Sequence, residues 1–180
     1  MKLQTWTVLL ALLAFAAGLP ALLAPKTTGR ALRGFCRDRW AGWLLSTLAL
    51  AWAGWLLYAL PLEFLLPFRK FIPLVMLAAV PLTWICMPDL LAARALGGLL
   101  ALLPAPVLQV ARVHPSAWRL VIVVLMYIFA VAGMTLIMAP YYLRDGIEWL
   151  SRSERRIRLC GATRLLAAAA LAWLALTVFA

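Results

Sequence analysis

The fold is decided by the stretch Ala132–Gly161, which reads AGMTLIMAPYYLRDGIEWLSRSERRIRLCG. An apolar helix ends just before Pro140, because proline disfavours helical geometry in the residue that precedes it. A basic segment follows, and a second apolar helix continues from Gly161. The pattern predicts a helical hairpin that turns round at a membrane surface.

The composition of the whole chain agrees with a membrane protein. Apolar residues make up 67% of the chain and charged residues 13%, and the mean hydropathy is +1.00. Soluble domains are about half apolar and a quarter charged. A spanning helix needs roughly 20 apolar residues, so 180 residues hold about six. We therefore predict an all-α polytopic transmembrane bundle of three helical hairpins, at about 5–61, 71–112 and 117–180, in a single integral membrane domain covering 1–180.

The net charge of +11 comes from Lys and Arg at the ends of apolar runs. A nucleic-acid binder carries such charge on the solvated face of a folded domain, so we expect no nucleic-acid partner. Basic residues beside spanning helices are typical of cytoplasmic connections and attract anionic headgroups. They set the topology, contact anionic lipid or an acidic partner, or do both. The candidate contact residues are Arg30, Arg33, Arg37, Arg39, Arg152, Arg155, Arg156 and Arg158.

The distribution of Lys and Arg also predicts an orientation. With six spans and both termini outside, twelve basic residues fall in the cytoplasmic connections and five fall outside. That asymmetry has the sign that the positive-inside rule requires. We expect a multi-pass membrane protein with its basic connections on the cytoplasmic side, and we interpret the first apolar run as a retained helix rather than a signal peptide.

The run from Asp89 to Arg112 permits two interpretations. It contains Arg94, the pair Gly97-Gly98 and two prolines, so it is either a kinked span or a segment that re-enters the membrane. A span is favoured, because otherwise the most basic connection would lie outside. The same region makes Arg94, Gly97 and Gly98 candidate pathway residues of a transporter, although a plain kink and a snorkelling arginine also explain them.

Two local patterns refine the basic segment. Leu143, Ile147 and Leu150 fall on one face of a helix over 141–150, as in a helix that lies in the membrane surface. Ser151 followed by Glu154 has the capping-box pattern, which predicts that the last helix begins near Arg152.

The hairpin recurs along the chain. Ala17-Gly18 and Ala24-Pro25 have the spacing of Ala132-Gly133 and Ala139-Pro140, and Pro88 is a weaker third equivalent, which predicts an internal repeat. The residues that share this pattern are Gly133, Pro140, Arg155, Arg156, Arg158 and Gly161, with a looser echo at Gly18, Pro25 and Gly42. They resemble the YjeT-type family of short, uncharacterised bacterial inner-membrane proteins, although that family has an Arg-Arg pair nearer the glycine. The resemblance implies a hairpin plan in the bacterial cytoplasmic (inner) membrane and no activity.

The sequence contains few groups that could do chemistry. His114 is the only histidine, and the three cysteines, Cys36, Cys86 and Cys160, have no ligand spacing. We predict no catalytic residues, no metal and no cofactor, while leaving open a pigment or lipid near His114 or the deep tryptophans. The favoured hypothesis is a non-enzymatic accessory subunit or assembly factor that contacts membrane lipids and other membrane subunits or its own copies. The alternative is a small transporter or channel.

Overall fold

The computed structural model describes residues 3–59, 69–87 and 90–179. The predicted helix-ending role of Pro88 and the outside position of Lys2 lie outside these ranges. Within them the chain forms nine α-helices, in the order α1 (Leu3–Leu23), α2 (Pro25–Phe35), α3 (Arg39–Ala59), α4 (Ile72–Cys86), α5 (Leu91–Leu102), α6 (Pro104–Val113), α7 (Arg119–Met138), α8 (Tyr141–Ser151) and α9 (Glu154–Thr177).

The predicted all-α membrane bundle is confirmed. Six helical segments are long and apolar enough to cross a membrane, so the chain is a multi-pass membrane protein by length and composition. The six segments are Leu3–Leu23, Arg39–Ala59, Arg69–Cys86, Leu91–Val113, Arg119–Met138 and Glu154–Thr177.

The region that permitted two interpretations forms one continuous helical segment, Leu91–Val113, that is long and apolar enough to cross a membrane. Leu103, between α5 and α6, keeps helical dihedral angles (φ −55°, ψ −38°), and its amide donates to the Leu99 carbonyl at 3.0 Å. Pro104 begins α6, where its missing N–H costs little. Gly97 and Gly98 lie inside the regular helix α5, so the backbone does not unwind there.

Glycines determine the closest approach between α1 and α9. A Cβ atom built on Gly161 would lie 2.9 Å from the Gly18 carbonyl oxygen and 2.9 Å from the Leu22 amide nitrogen. Small residues at such crossings let two backbones approach closely, which drives association where lipid removes the hydrophobic effect. Glycine at 18 and 161 therefore joins the first and last spans.

A second glycine pair joins α5 to α7. A Cβ atom on Gly133 would lie 2.5 Å from the Ala101 amide nitrogen and 2.6 Å from the Gly97 carbonyl oxygen. A Cβ atom on Gly97 would lie 2.8 Å from the Gly133 carbonyl oxygen. Neither position can hold a side chain unless the two backbones separate.

Helix α3 packs against α4 through aromatic side chains and against α5 through a glycine. The rings of Trp43 and Trp84 stack with centroids 5.0 Å apart, and Trp84 Nε1 donates to Ser46 Oγ at 3.1 Å. Gly42 lies beside Ala92, whose amide nitrogen would be 3.3 Å from an added Cβ atom. Helix α4 lies at the edge of the bundle, where it leaves large apolar side chains such as Leu77 exposed.

The main apolar core lies at the end of the bundle that carries both described ends of the chain. Val107, Ile122 and Met126 are fully buried there, and they belong to the same cluster as Leu3 and Phe179. The segments 25–39 and 141–158 therefore lie at the opposite end, because α1 and α9 each cross the bundle once.

One helix was not predicted, and one local prediction differs from the structure. The basic connection after Pro25 contains the helix α2 over 25–35, with proline at its first turn. The capping-box prediction is wrong: Ser151 is the last residue of α8, its Oγ has no hydrogen-bond partner among the described residues, and Ser153 is the N-cap of α9. The physical reason is that α8 continues to Ser151, and only the extended Ser153 breaks the helix.

Candidate functional site

The two surface helices α2 and α8 lie side by side at one end of the bundle. Arg33 Nη2 donates to the Ser151 carbonyl oxygen at 2.9 Å, and a Cβ atom on Gly29 would lie 3.0 Å from Cδ1 of Ile157. Lys26 Nζ lies 3.6 Å from Glu154 Oε1, in an exposed ion pair. We call the surface formed by 25–39 and 141–158 the basic face.

Helix α8 has the amphipathic orientation that its sequence predicts. Ile147 is buried and Leu143 and Leu150 are half-buried, whereas Arg144 and Glu148 are exposed. A helix with this division lies in the interface plane, with its apolar stripe toward the bundle and lipid.

Two of the eight predicted contact arginines have structural roles. Arg33 joins α2 to α8, and the guanidinium of Arg156 lies 4.2 Å from the centre of the Trp149 ring while it donates to the Trp149 carbonyl oxygen at 3.0 Å. The other six are exposed and have no hydrogen bond or ion pair from their side chains within the described ranges: Arg30, Arg37, Arg39, Arg152, Arg155 and Arg158.

The charges of this end are strongly unbalanced. Its described segments 26–39, 94 and 144–164 contain twelve Lys or Arg and four Asp or Glu residues. Of those acids, Asp38 accepts the Trp40 amide at 3.0 Å, and Asp145 pairs with its neighbour Arg144 at 2.9 Å. The four acidic side chains among the described residues are too few to neutralise the positive charge of the basic face. This surface therefore attracts anions.

The three predicted pathway residues do not line a common space. The backbone of α7 occupies the space beside Gly97. Gly98 faces Ala49, and a Cβ atom added to Gly98 would lie 3.6 Å from Cβ of Ala49. Arg94 is half-buried, and its Nη1 lies 3.6 Å from Sδ of Met87. Its buried Nε has no partner among the described residues.

The remaining candidates for chemistry are separate from one another. His114 packs edge-on against Phe179 with ring centres 5.0 Å apart, and its Nδ1 accepts the Ser116 amide at 3.2 Å. In the described part of the chain, His, Cys, Asp and Glu form no group of three that could hold a metal. Cys36 is buried, and this burial raises the pKa of its thiol, although the Arg144 guanidinium acts in the opposite direction.

Sequence reasoning missed the residue that the structure makes most distinctive. In the sequence, Arg164 was counted only as one of the twelve predicted cytoplasmic Lys and Arg residues. The structure places it in a groove of about 450 Å³ between α1, α2, α8 and α9. We call this cavity the Arg164 groove. The available sequence signal was an arginine three residues beyond Gly161, within the apolar run of the last span.

Comparison of the chain with known protein families, with curated proteins and with solved structures found no match.

Proposed function

We propose that this protein is a non-enzymatic integral protein of the bacterial inner membrane, which acts as an accessory subunit or assembly factor of a membrane complex. Its basic face contacts anionic lipid or an acidic partner at the cytoplasmic surface, and both chain ends lie outside. Its partners are membrane lipids and other membrane subunits or further copies of itself, and nucleic acid is not among them.

One observation carries this proposal. Six exposed arginines have no side-chain partner in the described segments: Arg30 on α2, Arg37 and Arg39 from the end of α2 to the start of α3, Arg152 just after α8, and Arg155 and Arg158 at the start of α9. The hydrogen bond from Arg33 to Ser151 joins α2 to α8. Each Lys or Arg near an anionic membrane surface contributes about 1 kcal/mol of attraction. A recognition surface of this kind needs no reacting group.

The helix pairing supports an internal repeat of three hairpins, each with the hairpin plan that the resemblance to the YjeT-type family implies. The first long helix of each hairpin packs against the second long helix of another hairpin: α1 on α9, α7 on α5, and α4 on α3. Two of these pairs cross at glycines, Gly18 with Gly161 and Gly133 with Gly97. In the third pair, the stacked rings of Trp43 and Trp84 are at the contact.

Removal of surface charge tests the proposal. We would replace Arg152, Arg155 and Arg158 together by glutamine, sparing Arg156, because its contact with Trp149 is structural. The matched control replaces the same three residues by lysine, which keeps the charge. The protein is purified in mild detergent, and stoichiometric partners are identified and their affinities measured.

We expect the glutamine variant to lose affinity for its partner by on the order of a hundred-fold, since three charges of about 1 kcal/mol each are removed. The lysine variant should retain most of it. Equal affinity in the wild type and the glutamine variant would leave these arginines with a topological role alone.

The alternative of a small transporter is favoured by the buried Nε of Arg94, which lacks a partner among the described residues. Charged groups inside membrane spans commonly mark solute paths. Solute flux into liposomes, measured for the wild type and for Arg94→Gln, tests it. Gly98→Ala is a safer second variant than Gly97→Ala, because only Gly97 is packed against backbone. Flux that depends on Arg94 would replace the accessory role by transport.

A further inference from the structure

The Arg164 groove combines an apolar wall with a single charge. Small residues of α1 such as Ala17 and Ala21 form one side, Leu32 of α2 forms another, and Arg164 lies on α9. The groove has no acidic residue in its lining. Its volume of about 450 Å³ falls within the roughly 300–1,000 Å³ of small-molecule sites.

Arg164 begins inside the membrane layer and points back toward the basic face. A Cβ atom on Gly18 would lie 3.2 Å from Cβ of Arg164, so the arginine stem starts beside Gly18. Gly18 is five residues before Leu23, where α1 ends, or about 7.5 Å at 1.5 Å per residue. Helical side chains lean toward the N-terminus of their helix, which for α9 is the basic face. The guanidinium therefore lies near the level of lipid headgroups.

The charge of Arg164 has no counterion within the described structure. The two ion pairs found there join Lys26 to Glu154 and Arg144 to Asp145, and no hydrogen bond involves the Arg164 guanidinium. Arg164 is exposed, so in a bilayer its charge meets lipid, where a charge is costly unless an opposite charge meets it. At this depth the abundant anionic groups are the phosphates of phospholipids.

The rest of the groove fits an acyl chain below such a phosphate. The lining has two threonines: Thr28 Oγ1 already donates to the Pro20 carbonyl oxygen at 2.8 Å, and the exposed Thr27 lies in the first turn of α2, at the basic face. The surface helix α2 contributes Leu32 and Phe35 to the lining, so the groove extends from the surface helices toward the apolar spans. Hydrocarbon gains free energy in such a site, whereas a polar ligand would lose its hydration.

We propose that the Arg164 groove binds one anionic phospholipid of the leaflet at the basic face, with its phosphate on Arg164 and one acyl chain against α1. This inference rests on the proposed function, because it places the basic face at a lipid surface. It adds a defined site that is separate from the arginines at 152, 155 and 158.

Native mass spectrometry of the full-length protein tests the site. The probes are phosphatidylglycerol and phosphatidylcholine of equal chain length, added to protein in detergent, and the readout is the dissociation constant of the first bound lipid. Arg164→Gln removes the charge, Arg164→Lys keeps it, and Ala17→Trp fills the apolar wall from an exposed position. Arg112→Gln is the matched control, since Arg112 is an exposed arginine in the last turn of α6, outside both the groove and the basic face.

We expect the wild type to prefer phosphatidylglycerol and Arg164→Gln to reduce that preference about five-fold, the effect of about 1 kcal/mol. Arg164→Lys should keep most of the preference, and Arg112→Gln should leave it unchanged. Ala17→Trp should weaken binding of both lipids. Circular dichroism and a monodisperse elution profile of each variant verify folding.

Three results would overturn the proposal. Unchanged preference in Arg164→Gln, or an equal loss in Arg112→Gln, would mean that lipid selection depends on charge elsewhere on the protein and not on the groove. Displacement of the lipid by glycerol 3-phosphate alone would mean a phosphate site without an acyl chain. A dimer that disappears in Ala17→Trp would mean that a second copy occupies the groove. Failure of the arginines at 152, 155 and 158 to bind a partner would refute the proposed function and leave the lipid measurement unaffected.

Discussion

Gly97 and Gly98 provide a sharp test of the packing, because neighbouring glycines of one helix have opposite surroundings. A Cβ atom on Gly97 would lie 2.8 Å from the Gly133 carbonyl oxygen and 3.0 Å from the Ile137 amide nitrogen. A Cβ atom on Gly98 would make only an ordinary contact, 3.6 Å from Cβ of Ala49. Alanine is therefore accommodated at 98 and obstructed at 97.

The expected difference in stability follows from two opposing effects. Alanine favours a helix over glycine by about 1 kcal/mol, and this gain applies to both variants. At 97 it is opposed by overpacking, which costs about 1–3 kcal/mol where a rigid neighbour must move. Because the gain cancels in the comparison, Gly97→Ala should be less stable than Gly98→Ala by about 1–3 kcal/mol.

Reversible unfolding in lipid–detergent bicelles, followed by tryptophan fluorescence, measures this difference. The variant Gly133→Ala should behave like Gly97→Ala, since its Cβ atom would lie 2.5 Å from the Ala101 amide nitrogen. The double variant should lose less than the sum of the two, because separation of α5 from α7 relieves both contacts. Equal free energies of unfolding for Gly97→Ala and Gly98→Ala would refute the close crossing.

Other predictions concern the basic face and α3. A Cβ atom added to Gly34 or Gly146 would have no atom of another part of the described structure within 4 Å. Cysteine introduced at either position should therefore react rapidly with a membrane-impermeant maleimide from the cytoplasmic side. Labelling from outside would invert the proposed topology. In a background without the other native cysteines, Cys36 should react more slowly than either, because it is buried and its raised pKa keeps the thiolate scarce until the pH increases; equal rates would contradict its burial. Trp84→Phe should destabilise the protein by about 1 kcal/mol through loss of the hydrogen bond to Ser46. Little further loss is expected when Ser46→Ala is added, and additive losses would contradict a direct bond between the two side chains.

Several features of the fold follow from local sequence. Long apolar runs between prolines predict the spans. A helix must reach a minimum length to cross a membrane, and helices usually end at or before the residue that precedes a proline. The surface helix α8 is also predictable from the sequence, since Leu143, Ile147 and Leu150 recur at helical spacing among polar residues. Helix α2 was missed, although Pro25 occupies the first-turn position that proline favours.

The candidate site was predictable only in part. The arginines of the basic face were predictable from the sequence, because charged residues next to a spanning helix lie at the membrane surface. The sequence did not show which of these arginines make contacts within the protein, because Arg33 donates a hydrogen bond to Ser151, which is 118 residues away in the chain. Arg164 differs from its neighbours in sequence because it stands within the apolar run after Gly161, but only the tertiary structure shows the groove that α1, α2 and α8 form beside it.

By itself the sequence determined the number of spans, their approximate ends and the concentration of positive charge in particular connections. Those properties depend on the chemistry of consecutive residues in water or lipid. Tertiary structure alone decided that α1 packs on α9 and α7 on α5, which brings Gly18 to Gly161 and Gly133 to Gly97. The physical reason is that spans apolar on every side do not specify which face is buried. Close packing of backbones at glycines then selects the partner, and that choice creates the Arg164 groove.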